Sequence, residues 1–576
     1  MQPLDFYSNP NWEIDGINLL LYPSCEQLKE FKIEIMPYLD EYSGNWTSIQ
    51  ARHLLRRTTF GPSIQMVNTA INLGLNSTMN ALFTPLPMPA PPLKSIPDGT
   101  GNNQLNDPGA LYGETWVNAA PFPNVNPPMY RNRILRSRSK SLYSWTFLQM
   151  HYSEISIREK LTLFWHNHFV VADSTIAHRE YLYYSLLRSF ALGNFRELTK
   201  EITIDTSMLF YLSGAENTDD APNENYSREL LELFTIGKGE LAGPGDYTNF
   251  TEDDVVEMAK VLTGWQVPQI SNPNTLTAQF SNNNHTQGDK QLSFRFNNAV
   301  ISENGQQEFR DLIDVIFQQD ECSRFIMRKL YRWFVHYDIT EEIEINIIEP
   351  LAAILRDNDY EIVPALQVLL KSEHFHESTA CMIKSPVDLI MSATRGLGIN
   401  PPQGEVEDEY NHAYHFYIMS SDLEQALYNH PNVAGWKAYY QEPQFDKLWI
   451  NNLLLPKRHE FCRLMVEGGN FSYNDENYNI TTLIPVLDIV NNIANAYTPN
   501  VLINSLAEMM FNYPITVNQL TSLKDILIPG LPDFEWTVEY LNYLSNPSNQ
   551  ALAVSVENKL KNLFSVMVRM SEFQIM

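Results

Sequence analysis

The sequence predicts a mainly α-helical fold, a large multi-helix body with two long irregular insertions and little β structure. Three observations carry that prediction. Apolar residues recur at helical spacing from about 130 to 265, through about 307–400, and again from about 480 to the end. Two stretches interrupt the pattern: about 85–128 is crowded with proline, glycine and asparagine, and about 266–305 is rich in Asn, Gln, Thr and Phe. The composition, 44% hydrophobic and 12% aromatic over 576 residues, is that of a chain able to bury a large core.

Residues 1–50 are polar and aromatic with weak periodicity and read as an N-terminal extension, ending at a capping segment, Asn45 to Ser48. The main helical domain is expected over 51–480, with a C-terminal helical part, 481–576, packed on it. It opens with two helices around His53 and Met66, separated by a stop at Gly61-Pro62-Ser63. Within the second insertion, the alternation Leu292-Ser-Phe-Arg-Phe296 suggests a short strand.

Charge and cysteine usage exclude several classes of function. Lys and Arg number 40 against 68 Asp and Glu, a net charge of −28. A phosphate-tracking nucleic-acid binder needs clustered cations, and only Arg131 to Lys140 is strongly basic. Cys25, Cys322, Cys381 and Cys462 stand far apart without a CxxC pair, which argues against a disulfide framework or a thiolate zinc site. No apolar run reaches the length of a membrane span, and the N-terminus lacks the basic and apolar regions of a secretory signal. The default expectation is a cytoplasmic, soluble protein.

Three segments can carry chemistry. In Arg158 to Phe169, at about 100° per residue, Leu161, Phe164, Trp165 and His168 share a face while His166 lies about 200° from His168. The two imidazoles can ligate one metal only if the helix ends near Trp165. Otherwise His168 is buried beneath an aromatic layer and His166 lies near the surface. In Pro222 to Gly237, Asn223 or Asn225 can cap a helix that Gly237 ends. With Asn225 at zero on the wheel, Glu229 falls at about 40° and Glu232 at about 340°, flanked by Arg228. Two carboxylates on one face either form a solvated surface or bind a hard cation and divide acid and base roles. The third segment, Asn282 to Lys290, holds His285 in an Asn-rich loop, where exposure to solvent is the default. His374 and His376, near a helix end, and His412 and His415, at i,i+3, are weaker candidates.

Together these segments resemble a large bacterial family catalogued as domain of unknown function 1800. The resemblance rests on His53 to Ser63, the Phe164-Trp-His-Asn-His-Phe169 block, Arg188 to Arg196, Pro222 to Gly237, Thr251 to Val255 and Leu262-Thr-Gly-Trp265. It continues through Lys384-Ser-Pro-Val387 and His430 to Trp436, and the ending Glu572 to Met576 looks like that of Bacteroidetes-type members. The family pattern includes a His-Asp-x-Gly-x-Lys element that maps onto His285, Gly288 and Lys290, with Thr286 in place of the aspartate. Asp205-Thr-Ser-Met208 departs from it as well. Because many relatives carry export signals and are encoded beside a sulfatase-like family, the resemblance implies an envelope role and a sulfatase-like protein partner.

Three functions fit. In the first, a metal-dependent hydrolase-like enzyme uses His166, His168 and His285 as ligands to a divalent zinc, iron or manganese ion, with Glu229, Glu232 and Arg228 as catalytic groups. In the second, a non-enzymatic interaction or assembly protein uses Arg158, Arg188 and Arg228 to neutralise Glu229 and Glu232 within the bundle. The third is a cofactor-binding redox enzyme.

Overall fold

A computed structural model describes residues 13–14, 17–18, 38–99, 105–125, 128–172, 176–267, 276–378 and 382–576. Contacts divide the chain into two units, Met1–Pro37 and Tyr38–Met576. In the first, Glu13–Ile14 pairs antiparallel with Ile17–Asn18. The second is mainly helical, as the periodicity predicts, and its described strands pair only two at a time.

Helices α1 (Ser48–Thr58) and α2 (Ile64–Leu82) open the large unit, each capped by the hydroxyl before it, Thr47 and Ser63. Gly74, at φ 77°, breaks α2 into two runs. The first insertion follows as a strap over α3 (Pro128–Tyr152). Among the described residues its backbone pairs through an isolated bridge, Leu93 with Thr115, and α3 side chains hold it further: Arg138 grips both oxygens of Asp107 at 2.8 Å, Ser141 donates to the Leu93 carbonyl at 2.6 Å, and Trp145 to that of Ala90 at 2.8 Å. Next come α4 (Arg158–His168), packed on α5 (Ala177–Ser189), and α6 (Glu224–Glu229), packed on α7 (Glu252–Val261).

In the second insertion, Leu292 to Phe296 is not a strand. Phe294–Phe296 forms a 3₁₀ turn, and the pairing falls on Lys290–Gln291 with Val300–Ile301. The cause is local: buried Asp254 takes hydrogen bonds from the amide and hydroxyl of Ser293 at 2.7 Å each, which turns the chain there. The same carboxylate closes the Thr251 capping box of α7.

Helices α8 (Glu308–Ile316), α9 (Asp320–Phe334), α10 (Pro386–Ala393) and α11 (Val406–Asp422) complete the central body, with α11 lying along α3. His374 and His376, expected near a helix end, lie on a short helix of their own, Glu373–Glu377, capped by Ser372 and with both imidazoles buried. At the C-terminal end α12 (Leu454–Glu467) packs against α14 (Gln550–Met567), with α13 (Asp533–Ser545) beside α14. The final residues return to the centre. Ile575 bridges Ile383, Lys384 donates its amide to the Gln574 carbonyl and its Nζ to that of Phe573, and Arg458 Nε donates to Gln574 Oε1. Among the described residues no helix is long and apolar enough to cross a membrane.

Candidate functional site

Helix α4 is intact through His168, so its two imidazoles leave on opposite sides and serve different neighbours. His166, expected near the surface, is completely buried. Its Nε2 accepts the Tyr428 amide at 3.0 Å and its Nδ1 donates to the Tyr183 hydroxyl at 3.1 Å, which in turn donates to the Phe169 carbonyl. The ring also meets His430 at a centroid distance of 4.5 Å, a neighbour that sequence spacing could not have supplied. Burial, then His430, hold the His166 imidazole well below its usual pKa.

His168 is buried under Phe164 and Trp165, as expected. Its Nε2 donates to the Phe234 carbonyl at 3.0 Å, and its Nδ1 accepts from Lys329 Nζ at 3.2 Å. Lys329 also donates to the Leu233 carbonyl at 2.8 Å. Burial, with Arg332 adding to it, pushes the Lys329 amine down to about 7. Burial and Lys329 likewise hold His168 well below the usual imidazole range.

The need for these donors lies in the second segment. Asn223 caps α6, its side chain accepting the Asn225 amide, and from Leu230 to Thr235 the chain runs as a π-helix. Thr235 Oγ1 closes back on the Leu230 carbonyl at 2.6 Å, and Gly237, at φ 70°, ends the run. The helix ends here, which leaves the Leu233 and Phe234 carbonyls of its last turn to outside partners, and α4 and α9 supply them through His168 and Lys329. The histidine block and the glutamate helix therefore do meet, through backbone carbonyls.

The π-helix also changes the carboxylate geometry, because a wheel drawn at one constant angle misplaces Glu232. That carboxylate lies 3.2 Å from Lys238 Nζ and 3.8 Å from Arg228. Arg228 instead clasps Glu252 with both terminal nitrogens, at 3.0 and 2.7 Å. Half-buried Glu229 has no hydrogen bond or ion pair among the described residues, and burial, then the nearby Glu232 charge, raise its pKa.

The network expected around Glu229 and Glu232 is centred elsewhere. Arg188 pairs with Glu159 through Nη2 at 2.6 Å and Nε at 3.1 and 3.2 Å, with both side chains buried and the guanidinium over Trp145 and Tyr184. Arg158 reaches Glu159 and the strap carbonyls of Leu86 and Pro87.

His285, expected in solvent, is 1% exposed. Its Nδ1 faces the Thr263 carbonyl and its Nε2 faces Glu308 Oε1, each at 3.0 Å. Lys290 Nζ holds the other Glu308 oxygen at 2.6 Å. Burial alone would raise Glu308, but Lys290, the Asn304 amide and His285 bring it below the usual carboxylate range. The Thr286 amide donates to Thr263 Oγ1 at 2.9 Å, so this position too is tied to the Leu262 to Trp265 turn.

Among the described residues no three His, Cys, Asp or Glu side chains are placed to hold a metal ion. The ring nitrogens of His166, His168 and His285 already face protein groups, so they do not fit a common metal. Other segments meet in the same manner. Asn167 Oδ1 accepts the Trp436 amide at 3.0 Å, a contact needing Gly435, since a Cβ there would lie 2.4 Å from that oxygen. A cavity lined by Lys160, Ser385, Asp388, Tyr439 and Asp446 offers about 10 Å³, room for roughly one water. Burial, opposed by the Ile383 amide, pushes Asp446 there up to about 6.

The fold and its joined segments define a class, a helical body cross-tied by buried polar side chains. A family model described as Protein of unknown function (DUF1800) matches residues 53–575, and the chain belongs to that family. No curated protein and no solved structure matches it.

Proposed function

We propose that the protein is a non-enzymatic interaction or assembly protein, in which a buried Arg-Glu-His network joins distant segments into one rigid body. The observation that carries this reading is the engagement of both ring nitrogens of His166, His168 and His285 by protein groups. Groups saturated in this way position backbone and leave no open coordination site. The partner class favoured by the family resemblance is a sulfatase-like protein. Co-expression of this chain with such a protein and gel filtration of the mixture test the reading. Co-elution at fixed stoichiometry supports it, and separate elution at every concentration contradicts it.

A second reading, a metal-dependent hydrolase-like enzyme, draws on Glu229 alone, a half-buried carboxyl with a raised pKa and no hydrogen bond or ion pair among the described residues. That is the profile of a general acid or base. Hydrolytic turnover abolished by Glu229→Gln with unchanged stability would favour it.

A further inference from the structure

We infer that a second copy of this chain docks head-to-tail on α13, its α3 N-terminus covering the outer face of that helix. This inference rests on the interaction reading above and names the surfaces it uses. Helix α13 is apolar on both sides. Its inner face is Trp536, Tyr540 and Tyr543, which pack inward, with the Trp536 indole donating to the Ala496 carbonyl at 2.8 Å and the Tyr540 hydroxyl to Asn491 at 2.9 Å. On the opposite side Phe534, Val538 and Leu541 follow at helical spacing with exposures of 60, 52 and 41%, extended by Leu531 at 50%. A contiguous exposed apolar face of this kind marks a contact surface. Glu535 and Asp533, both exposed, flank Phe534 and give this stripe an acidic end, with Asp533 also paired to Lys524 at 3.1 Å.

The complementary surface is the basic stretch that stood out in an otherwise acidic sequence. Residues 128–140 contain no acidic residue. Arg138 is spent on Asp107, and Lys140 on Asn411 and the Tyr414 ring. Exposed Arg136 and part-exposed Arg131, whose guanidinium lies over the Phe122 ring, have no ion pair among the described residues, and beside them Met129 and Tyr130 are 70 and 52% exposed. Two copies each carrying −28 repel overall, so association requires a contact that opposes like charge locally. Placing Arg131 and Arg136 of one copy against Asp533 and Glu535 of the next does this, while Met129 and Tyr130 cover the Phe534 stripe. A stripe-to-stripe contact would bring the acidic residues together. The contact uses different surfaces on the two copies and leaves one of each unoccupied in a pair, so it propagates until it closes.

Sedimentation velocity over a concentration series tests this with the full chain, with Phe534→Asp/Val538→Asp and with Arg131→Glu/Arg136→Glu. Phe534, Val538 and Arg136 are exposed and Arg131 is part-exposed, and matching thermal melts confirm folding. The wild-type chain should self-associate and each variant alone should be monomeric. An equimolar mixture of the two variants should form one-to-one pairs and nothing larger, since one intact surface of each kind remains. Asp533→Lys/Glu535→Lys mixed with the arginine variant should also restore pairing, which loss of folding could not mimic. A wild-type chain monomeric throughout overturns the proposal, as does an arginine variant that still associates. If the monomeric wild type nevertheless co-elutes with a sulfatase-like protein, the self-docking fails and the interaction reading stands.

Discussion

His168 Nε2 donates to the main-chain carbonyl of Phe234 across 3.0 Å, joining two segments 66 residues apart at the end of a π-helix, where that carbonyl has no partner in its own helix. Replacement by phenylalanine keeps the ring stacked near Phe164 but orphans the carbonyl and removes the acceptor for Lys329. We expect His168→Phe to cost about 1–3 kcal/mol in urea unfolding, the range for a buried hydrogen-bonding group left unsatisfied. An unchanged midpoint would show that the tie is dispensable.

The buried Arg188–Glu159 pair gives a double-mutant cycle. Glu159→Gln leaves a cation buried against Trp145 and Tyr184, and about 3–5 kcal/mol of destabilisation is expected. Glu159→Leu combined with Arg188→Met should cost less than the sum of the single changes, because no unpaired charge remains. Additive single effects would contradict a direct pair.

Glu180 on α5 predicts a pH dependence. Burial, opposed by a hydrogen bond from Tyr143, pushes its pKa up to about 8 from 4.5. The folded state therefore keeps a proton that the unfolded state releases above pH 4.5. Stability attributable to Glu180 is present below 4.5, falls as pH rises toward 8 and is level above it. Each pKa unit corresponds to about 1.4 kcal/mol. In chemical denaturation the Glu180→Gln variant, which has no such proton to lose, should gain on the wild type across this window. Parallel stability profiles would refute the assignment.

Removal of residues 572–576 should be as damaging as a core truncation. Those residues supply the acceptors for Lys384 Nζ and Arg458 Nε, both buried. The shortened chain is expected to melt well below the full one or to aggregate on expression, and a melt within a degree or two would contradict this.

The fold class was legible because helical periodicity is written locally. Capping by Thr47, Ser63 and Asn223 is equally local. The roles of the histidines were not. Whether an imidazole meets a metal or a carbonyl depends on the segment opposite, and Phe234, Glu308 and Tyr428 lie 66, 23 and 262 residues from their histidines. The π-helix escaped because a wheel assumes a constant turn. His285 was misplaced because an Asn-rich loop suggests solvent, whereas Glu308 and Lys290 draw the ring inward. Burial of Glu159 with Arg188 could not be read from either residue alone.

Elemental analysis of the purified chain, paired with thermal unfolding in excess chelator and then with added zinc, iron(II) or manganese(II), tests the central claim most directly. If the motif histidines are cross-ties, the protein carries no stoichiometric metal and its melting temperature is unmoved by chelator or ion. One equivalent of bound metal, lost with a fall in melting temperature on chelation and absent from His168→Phe, would contradict the account.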